Sequence, residues 1–480
     1  DERSGDPHGA LLHVLSAPPE DARLESTGTV RRRLLLAAGA HDRWLEEVHA
    51  RRYGAGFDLG DGGAAAATLA SVAANGSPDA ATVDALLRLG LVDGAIAFAR
   101  AALTQDPGSA ELRALLDEAE RHRRFVAELG ERFEAWYRGG DTPPMEAVLA
   151  ELRELSVEVL GEDVVDPVVT KEYFPVGTFL DPDPARGGGL ARYFDRFGTF
   201  FLVGRRTLGV PEAYALRRIA EARLAVDGTN VYRVVGEELV LPSRTEHFGG
   251  EIAGFAFETF IVLNVDRVRT TAAATLALHD DVFGRIDEFL ADPPLRIETE
   301  DERTDLDEPL TLTARAHLRA LRSHLEAGGT EATLPGLLLD AVETHERAHI
   351  RDAARFLPLF DDLGTKVSLL GRHGFSPANV EAWLEERAQA VAMADAASPM
   401  AVLAATAAML PGRLSAPPHS QGYHDLLARM VREVVEHPDR YPEIDRDASV
   451  LPQLDRLGNE GLRALARRLL AEESGIPELQ

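Results

Sequence analysis

One helical segment constrains the fold of this chain more than any other. Residues 337–357 contain neither proline nor glycine, and Pro358 follows them at a position that fits a helix end. Apolar residues and two histidines recur there at helical spacing, which predicts an inward-facing stripe. The members of this stripe are Leu338, Val342, His345, His349, Ala353 and Phe356.

The two histidines belong to a His-Glu-x-x-His motif that begins at His345 and ends at His349. Residues four apart share one face of a helix, so both imidazoles can reach one metal ion. Glu346 is then placed to act as a general base on a metal-bound water. The alternative interpretation is two core histidines packed beside leucines. The motif resembles that of the zincin metallopeptidases, and this resemblance implies a zinc-dependent hydrolase.

A catalytic zinc site usually has a third protein ligand, and the sequence directs the search for it downstream. The metzincin extension of the motif is absent, because Asp352 and Arg355 stand where its glycine and third histidine would be. Ser376 and Pro377 open a second helix, and residues 379–397 contain no glycine or proline. We therefore expect the third ligand on that helix.

Within the second helix, the five residues EERAQ that start at Glu385 resemble the E-x-x-A-D type motif of the gluzincins. The resemblance implies that Glu385 is the third zinc ligand and that Gln389 replaces the acid that orients a histidine. Gln389 can still accept a hydrogen bond from an imidazole, but it brings no charge. Helix geometry alone leaves Glu386 open as the ligand, and weaker candidates are Glu381 and Asp352. Asp352 is also a candidate for the orienting role.

The gluzincin resemblance further implies a hydrogen-bond donor for the oxyanion of the tetrahedral intermediate. Gluzincins commonly take this donor, a tyrosine or a histidine, from a later helix. Here Tyr423 and His424 are the best-placed candidates, ahead of His373 and His419. The expected catalytic residues are therefore Glu346, Tyr423 and His424.

Composition narrows the ligands and the partners. The chain has 480 residues, a formal net charge of −28 and no cysteine. The negative charge argues against a nucleic-acid partner, because phosphate binding needs a basic surface. Without cysteine, any metal ligands are histidine and carboxylate groups.

No apolar run reaches 18 residues, so no membrane span is predicted. The first residue is Asp1, which suggests a processed, exported product.

The length predicts two or three domains. The helical and strand-like segments, together with the zincin resemblance, imply an α+β fold that is mostly helical. We expect a helical, repeat-like domain over residues 1–138, a linker and mixed segment over 139–230, and a zincin-like metallopeptidase domain with a small sheet over 231–480. Strands are predicted at 231–235, 239–241, 257–265, 296–299 and 310–313. Helices are predicted at 400–410 and 423–436.

The N-terminal region resembles the second half of a tetratricopeptide repeat. The resemblance rests on Ala95, Ala99, Ala102 and Pro107, and it covers about one repeat. Small residues at these positions let two helices pack closely. The resemblance implies a surface that binds a protein partner or substrate, and a generic helical hairpin is the alternative.

Three functional hypotheses follow. The leading one is a zinc metallopeptidase that acts on a peptide or protein substrate. The second is a catalytically inactive helical scaffold or adaptor, which the change to Gln389 favours and the intact Glu346 opposes. The third is a zinc hydrolase that acts on a non-peptide amide, which zinc binding without peptide cleavage would favour.

Overall fold

The computed structural model describes most of the chain. The described residues are 25–53, 79–139, 144–173, 177–206, 212–235, 253–281, 285–291, 309–356, 367, 371–410 and 418–473, apart from 182, 185, 226, 227, 258 and 259. The strands predicted at 239–241 and 296–299 lie outside these residues.

The N-terminal part of the described chain is helical. Its helices are α1 (Glu25–Ala37), α2 (His41–Tyr53), α3 (Ala80–Arg88), α4 (Val92–Gln105), α5 (Ala110–Gly139) and α6 (Met145–Leu160). Helices α3 and α4 form a hairpin that packs against α5. Ala95, Ala99 and Ala102 of α4 are all buried in this core, as close helix packing requires. The tetratricopeptide resemblance itself stays a prediction.

A single sheet follows in the described chain. Its strands are β1 (Thr170–Tyr173), β2 (Gly177–Leu180), β3 (Thr199–Arg206), β4 (Glu212–Leu224), β5 (Asn230–Val235), β6 (Gly254–Phe257) and β7 (Phe260–Asn264). The strand order is β1-β2-β3-β4-β5-β7-β6. Strands β5 and β7 pair in parallel, and the other neighbours pair antiparallel. Strand β6 therefore forms one edge of the described sheet.

Two predicted strands correspond to this sheet. The prediction at 231–235 matches β5. The single strand predicted at 257–265 is instead the end of β6 followed by β7, and a helix that spans Val265–Asp281 begins directly after β7. A nearly continuous apolar run does not show where a hairpin turns, because periodicity alone cannot divide it.

The strand predicted at 310–313 is wrong. These residues lie in a helix that spans Pro309–Glu326. Proline is well suited to the first turn of a helix, because its missing N–H has no partner to lose there. Leu312 and Ala316 are both buried, four residues apart, so the helical period extends to the start of the segment and overrides the local β-propensity.

The C-terminal part is again helical. A short helix, α7 (Gly189–Arg196), lies earlier, between β2 and β3. The C-terminal helices are α8 (Val265–Asp281), α9 (Ile286–Ala291), α10 (Pro309–Glu326), α11 (Leu334–Phe356), α12 (Pro377–Asp395), α13 (Pro399–Ala408), α14 (Pro418–Glu436) and α15 (Gly458–Glu473), with 3-10 turns at Glu331–Thr333, Pro438–Arg440 and Leu451–Leu457. The helices predicted at 400–410 and 423–436 correspond to α13 and α14. The coarse prediction, a mostly helical chain with a sheet, is confirmed.

Helix α12 lies at the centre of this region. The Ser376 hydroxyl caps its first turn by accepting from Asn379 N–H, and Pro377 follows the cap. The helix packs against α11, α13, α14 and α15, and most of its residues are buried, charged ones included. A buried carboxylate is costly unless it is paired or binds a metal. The acidic residues of α12 therefore need specific partners.

The segment 139–230 joins the helices to the sheet. It contains α6, α7, strands β1 to β4 and the first residue of β5, so the predicted boundary at residue 231 falls inside a strand of the sheet. Phe197 packs into the core of the N-terminal helices. Arg196 binds Asp84 of α3 and Glu118 of α5. These contacts attach the N-terminal helices directly to the sheet region.

The sequence predicts no membrane span, and the helices of the structure can be compared with this prediction. Within the described part of the chain, no helix combines the length and the apolar character that crossing a bilayer requires.

Candidate metal centre

Helix α11 places the two predicted histidines side by side. The Nε2 atoms of His345 and His349 lie 3.0 Å apart, as expected for residues one helical turn apart. Their rings meet edge to face, with centroids 4.6 Å apart. His345 is 7% exposed, whereas the His349 side chain retains 18% exposure. The pair is thus buried on one side and open to solvent through His349.

Helix α12 brings a carboxylate to the same point. Oε2 of Glu385 lies 3.4 Å from Nε2 of His345 and 3.4 Å from Nε2 of His349. Bonds of about 2.0–2.1 Å from one zinc ion at tetrahedral angles would place neighbouring donor atoms about 3.3–3.4 Å apart. The two 3.4 Å separations between Glu385 and the histidines match this value, and the 3.0 Å separation between the two histidine Nε2 atoms is shorter than it. The His345, His349 and Glu385 group could hold a metal ion.

The geometry distinguishes Glu385 from its neighbour Glu386. Glu386 faces a different helix, where its carboxylate accepts a hydrogen bond from Arg429 of α14 at 2.5 Å. A carboxylate bound to an arginine is already compensated for its burial. Of the two acids left open by the sequence, Glu385 is the one that meets both histidines.

Glu346 is buried beneath the edge strand of the sheet. Helix α11 packs against β6 and β7, and Gly254 at the start of β6 lies directly over the Glu346 side chain. A Cβ added at Gly254 would come within 2.7 Å of Oε1 of Glu346. The glycine therefore allows the edge strand to approach the predicted general base more closely than another residue would.

Tyr423 of α14 lies beside the histidine pair. Its ring meets the His345 ring edge to face, with centroids 6.1 Å apart. Burial raises the pKa of the Tyr423 hydroxyl well above its usual value, and the charges of Glu385 and Glu346 raise it further. The hydroxyl therefore keeps its proton at neutral pH and can donate a hydrogen bond in the site.

The second predicted donor lies elsewhere. His424 is bonded through Nδ1 to the adjacent Asp425 at 3.3 Å. Neighbouring residues on a helix point about 100° apart, so Tyr423 and His424 do not face the same partners. Of the two, Tyr423 makes the ring contact with His345. His373 of the sequence prediction instead contacts Trp383, and the His419 side chain lies outside the described part of the structure.

The predicted orienting groups do not bind the histidines. The Asp352 carboxylate binds Arg387 through both of its oxygens. The Gln389 amide donates to the Val402 carbonyl and to the Thr406 hydroxyl on α13. Asp352 and Gln389 therefore do not have the predicted orienting role, because each binds a partner on another helix. The spacing of residues within one helix does not identify such partners. The Nδ1 atom of His345 is buried without a hydrogen-bond partner among the described residues.

Three residues that shape the centre are not predicted from the sequence: Gly254, Arg387 and Gly422. A Cβ at Gly422 would lie 2.3 Å from the Ala382 carbonyl oxygen and 2.8 Å from Glu385 Cβ. This glycine therefore permits the close crossing of α14 over α12 that brings Tyr423 to the site. Its position next to the predicted Tyr423 is the one sequence signal that points to it.

Comparisons with protein-family models, curated proteins and solved structures give no match to this chain.

Proposed function

We propose that this chain is a zinc-dependent metallopeptidase. The observation that carries the proposal is the convergence of His345, His349 and Glu385 from two helices, with donor atoms 3.0–3.4 Å apart, close to the separations in a tetrahedral zinc site. Two nitrogens and one oxygen are the ligand set of several catalytic zinc sites, which leave one position for water. When bound, zinc supplies Lewis acidity to a water nucleophile and to the scissile carbonyl.

Glu346 is the proposed general base. It follows the first ligand directly on α11 and is buried between that helix and β6. Its carboxylate takes one proton from the attacking water, and the same proton then passes to the leaving amine as the carbon–nitrogen bond breaks. One water is consumed for each amide cleaved; its second proton leaves the new carboxyl group for the amine, and the products at neutral pH are a carboxylate and an ammonium group.

Tyr423 is the proposed donor to the oxyanion. Attack by water converts the planar carbonyl into a tetrahedral centre that carries negative charge on oxygen. A preorganised O–H group aimed at that oxygen stabilises the transition state more than the substrate. The protonated hydroxyl of Tyr423 beside His345 has the required chemistry.

The edge strand supports a peptide as the substrate. Strand β6 lies at the edge of the described sheet and passes over Glu346 at Gly254. An edge strand offers unpaired backbone N–H and C=O groups to an extended peptide. In zincins the edge strand of a small sheet pairs with an extended peptide substrate, and the packing of α11 against the edge strand β6 supports the same role here.

The N-terminal helices are proposed to recruit a protein substrate or partner. They are fixed to the sheet region through Arg196 and Phe197, so a protein bound to them would be held at a constant distance from the metal centre. A rigid attachment raises the effective concentration of a tethered substrate.

The test is cleavage of a defined peptide mixture by the zinc-loaded protein, read by mass spectrometry, with Glu346→Gln as the matched variant. Glutamine preserves the shape of the side chain but cannot take the proton. We expect cleavage by the wild type and a loss of about 10²–10⁴-fold in the variant, with zinc content unchanged. Intact peptides in the presence of bound zinc, or equal cleavage by the variant, would contradict the proposal.

A further inference from the structure

A buried ion pair joins the two helices that carry the candidate ligands. Arg387 of α12 donates to Asp352 of α11 through Nε at 3.1 Å and through Nη2 at 3.2 Å. The Asp352 residue is 5% exposed and the Arg387 residue is 8% exposed. Two parallel hydrogen bonds between a guanidinium and a carboxylate fix both the distance and the orientation of the groups.

Each partner is close in sequence to a candidate ligand. Asp352 follows His349 by three residues on α11, which is nearly one turn. Arg387 follows Glu385 by two residues on α12. A shift of α12 along α11 that breaks the ion pair would therefore also move the Glu385 carboxylate away from the histidines.

Arg387 is held on a second side as well. Its guanidinium carbon lies 5.4 Å from the centre of the Trp383 ring, one turn earlier on α12, and Trp383 contacts the ring of His373. Stacking on an aromatic ring restricts the guanidinium plane. The arginine is thus preorganised to bind Asp352 in one geometry.

Stability alone does not account for such a pair. Two charges lose their hydration when they are buried, and apolar residues of similar size are often at least as stabilising. What the charged pair adds is directional restraint, because a bidentate contact tolerates little sliding, whereas an apolar contact tolerates more.

We propose that Asp352 and Arg387 are positioning residues, which set the register of α12 against α11 and so hold Glu385 at the metal-binding distance from His345 and His349. This inference rests on the proposed metal site and adds the element that keeps it assembled. Neither residue touches the metal or the substrate in this account.

The test compares zinc affinity with the stability of the metal-free protein in the double variant Asp352→Leu/Arg387→Met. The apolar pair fills the space without leaving an unpaired charge, so we expect the melting temperature of the metal-free variant to stay close to that of the wild type. Zinc affinity, measured by competition with a chromophoric chelator, should fall about 10–100-fold, as for other changes behind metal ligands.

Arg387→Lys is the second variant, because it keeps the positive charge and loses the bidentate geometry. We expect weaker zinc binding and an altered visible spectrum of the cobalt-substituted protein, since this spectrum reports the arrangement of the ligands. If the double variant fails to fold, the zinc affinity of Arg387→Lys tests the positioning role by itself.

Arg319→Met is the matched control. Arg319 binds the fully buried Asp455 on a different pair of elements, so its loss should lower stability and leave zinc affinity unchanged. Wild-type zinc affinity in the folded double variant, or in Arg387→Lys, would overturn the inference. No zinc binding by the wild type would instead overturn the proposed metal site itself.

Discussion

Gly254 and Glu346 touch across the junction of the sheet and the motif helix. A Cβ at residue 254 would lie 2.7 Å from Oε1 and 2.9 Å from Cγ of Glu346, closer than side chains normally approach. Any side chain at residue 254 would therefore have to displace the strand or the side chain of the proposed general base. In the proposed mechanism, a substrate bound along β6 would lie close to this carboxylate.

Gly254→Ala should lower activity while it leaves the metal in place. The added methyl group must displace either the strand or the Glu346 side chain, and small displacements of catalytic groups are costly in rate. We expect kcat/KM to fall by at least about tenfold with unchanged zinc content, measured on the same preparation.

Gly371→Ala is the control for Gly254→Ala. A Cβ there would meet its nearest neighbour, Phe375, at an ordinary 3.7 Å, so activity should remain within about twofold of the wild type. Full activity of the Gly254→Ala variant would show that the strand and the carboxylate need not lie so close.

Tyr423→Phe should lower kcat and leave KM and zinc content nearly unchanged. The substitution removes the hydroxyl and keeps the ring that meets His345, so the loss falls on the transition state. Removal of one oxyanion donor costs about 10²–10³-fold in kcat. Steady-state kinetics of the zinc-loaded variant measure this loss.

His424→Ala separates the two donors that the sequence predicts. His424 contacts Asp425, and we expect its removal to change kcat by less than about threefold. A large loss in His424→Ala together with a small one in Tyr423→Phe would exchange their roles.

His317 of α10 makes stability depend on pH. Burial lowers the pKa of its imidazole from 6.5 to about 4. The imidazole Nδ1 lies 3.3 Å from the Thr275 hydroxyl of α8. Between pH 6.5 and about pH 4, this histidine binds a proton in the unfolded chain but stays neutral in the folded chain. The free energy of unfolding therefore decreases as pH falls through this window, by about 3 kcal/mol from this residue.

Urea unfolding of the metal-free protein at pH 7.0 and pH 4.5 measures this effect, and His317→Leu is the comparison. The Thr275 hydroxyl keeps its bond to the Thr271 carbonyl in that variant, so no buried donor is stranded. The variant should lose less stability than the wild type over the same interval. Equal losses would assign the pH dependence to other groups.

The parts of the site that one helix determines could be predicted from the sequence. The spacing of His345 and His349 fixes a shared face, because the helical period is a local property. The N-terminus of α12 was likewise readable from Ser376 and Pro377, which cap and start the helix.

Relationships between helices could not be predicted in the same way. Asp352 has the right spacing to orient a histidine, yet Arg387 reaches it from α12. Gln389 could accept from an imidazole, yet its amide binds α13. For both side chains the sequence allows a histidine or a group on another helix as the partner, and the packing of the helices determines which one is bound. The resemblance favoured Glu385 over Glu386, but their different partners emerge only from how α11 and α14 cross α12.

The most direct measurement is the metal content of the purified protein and of two neighbouring variants, Glu385→Ala and Glu386→Ala, by elemental analysis after zinc reconstitution at neutral pH. We expect about one zinc per chain in the wild type, loss or marked weakening of zinc binding in Glu385→Ala, and retention of zinc in Glu386→Ala. Absence of zinc from the wild type, or equal zinc in wild type and Glu385→Ala, would contradict the proposed metal site.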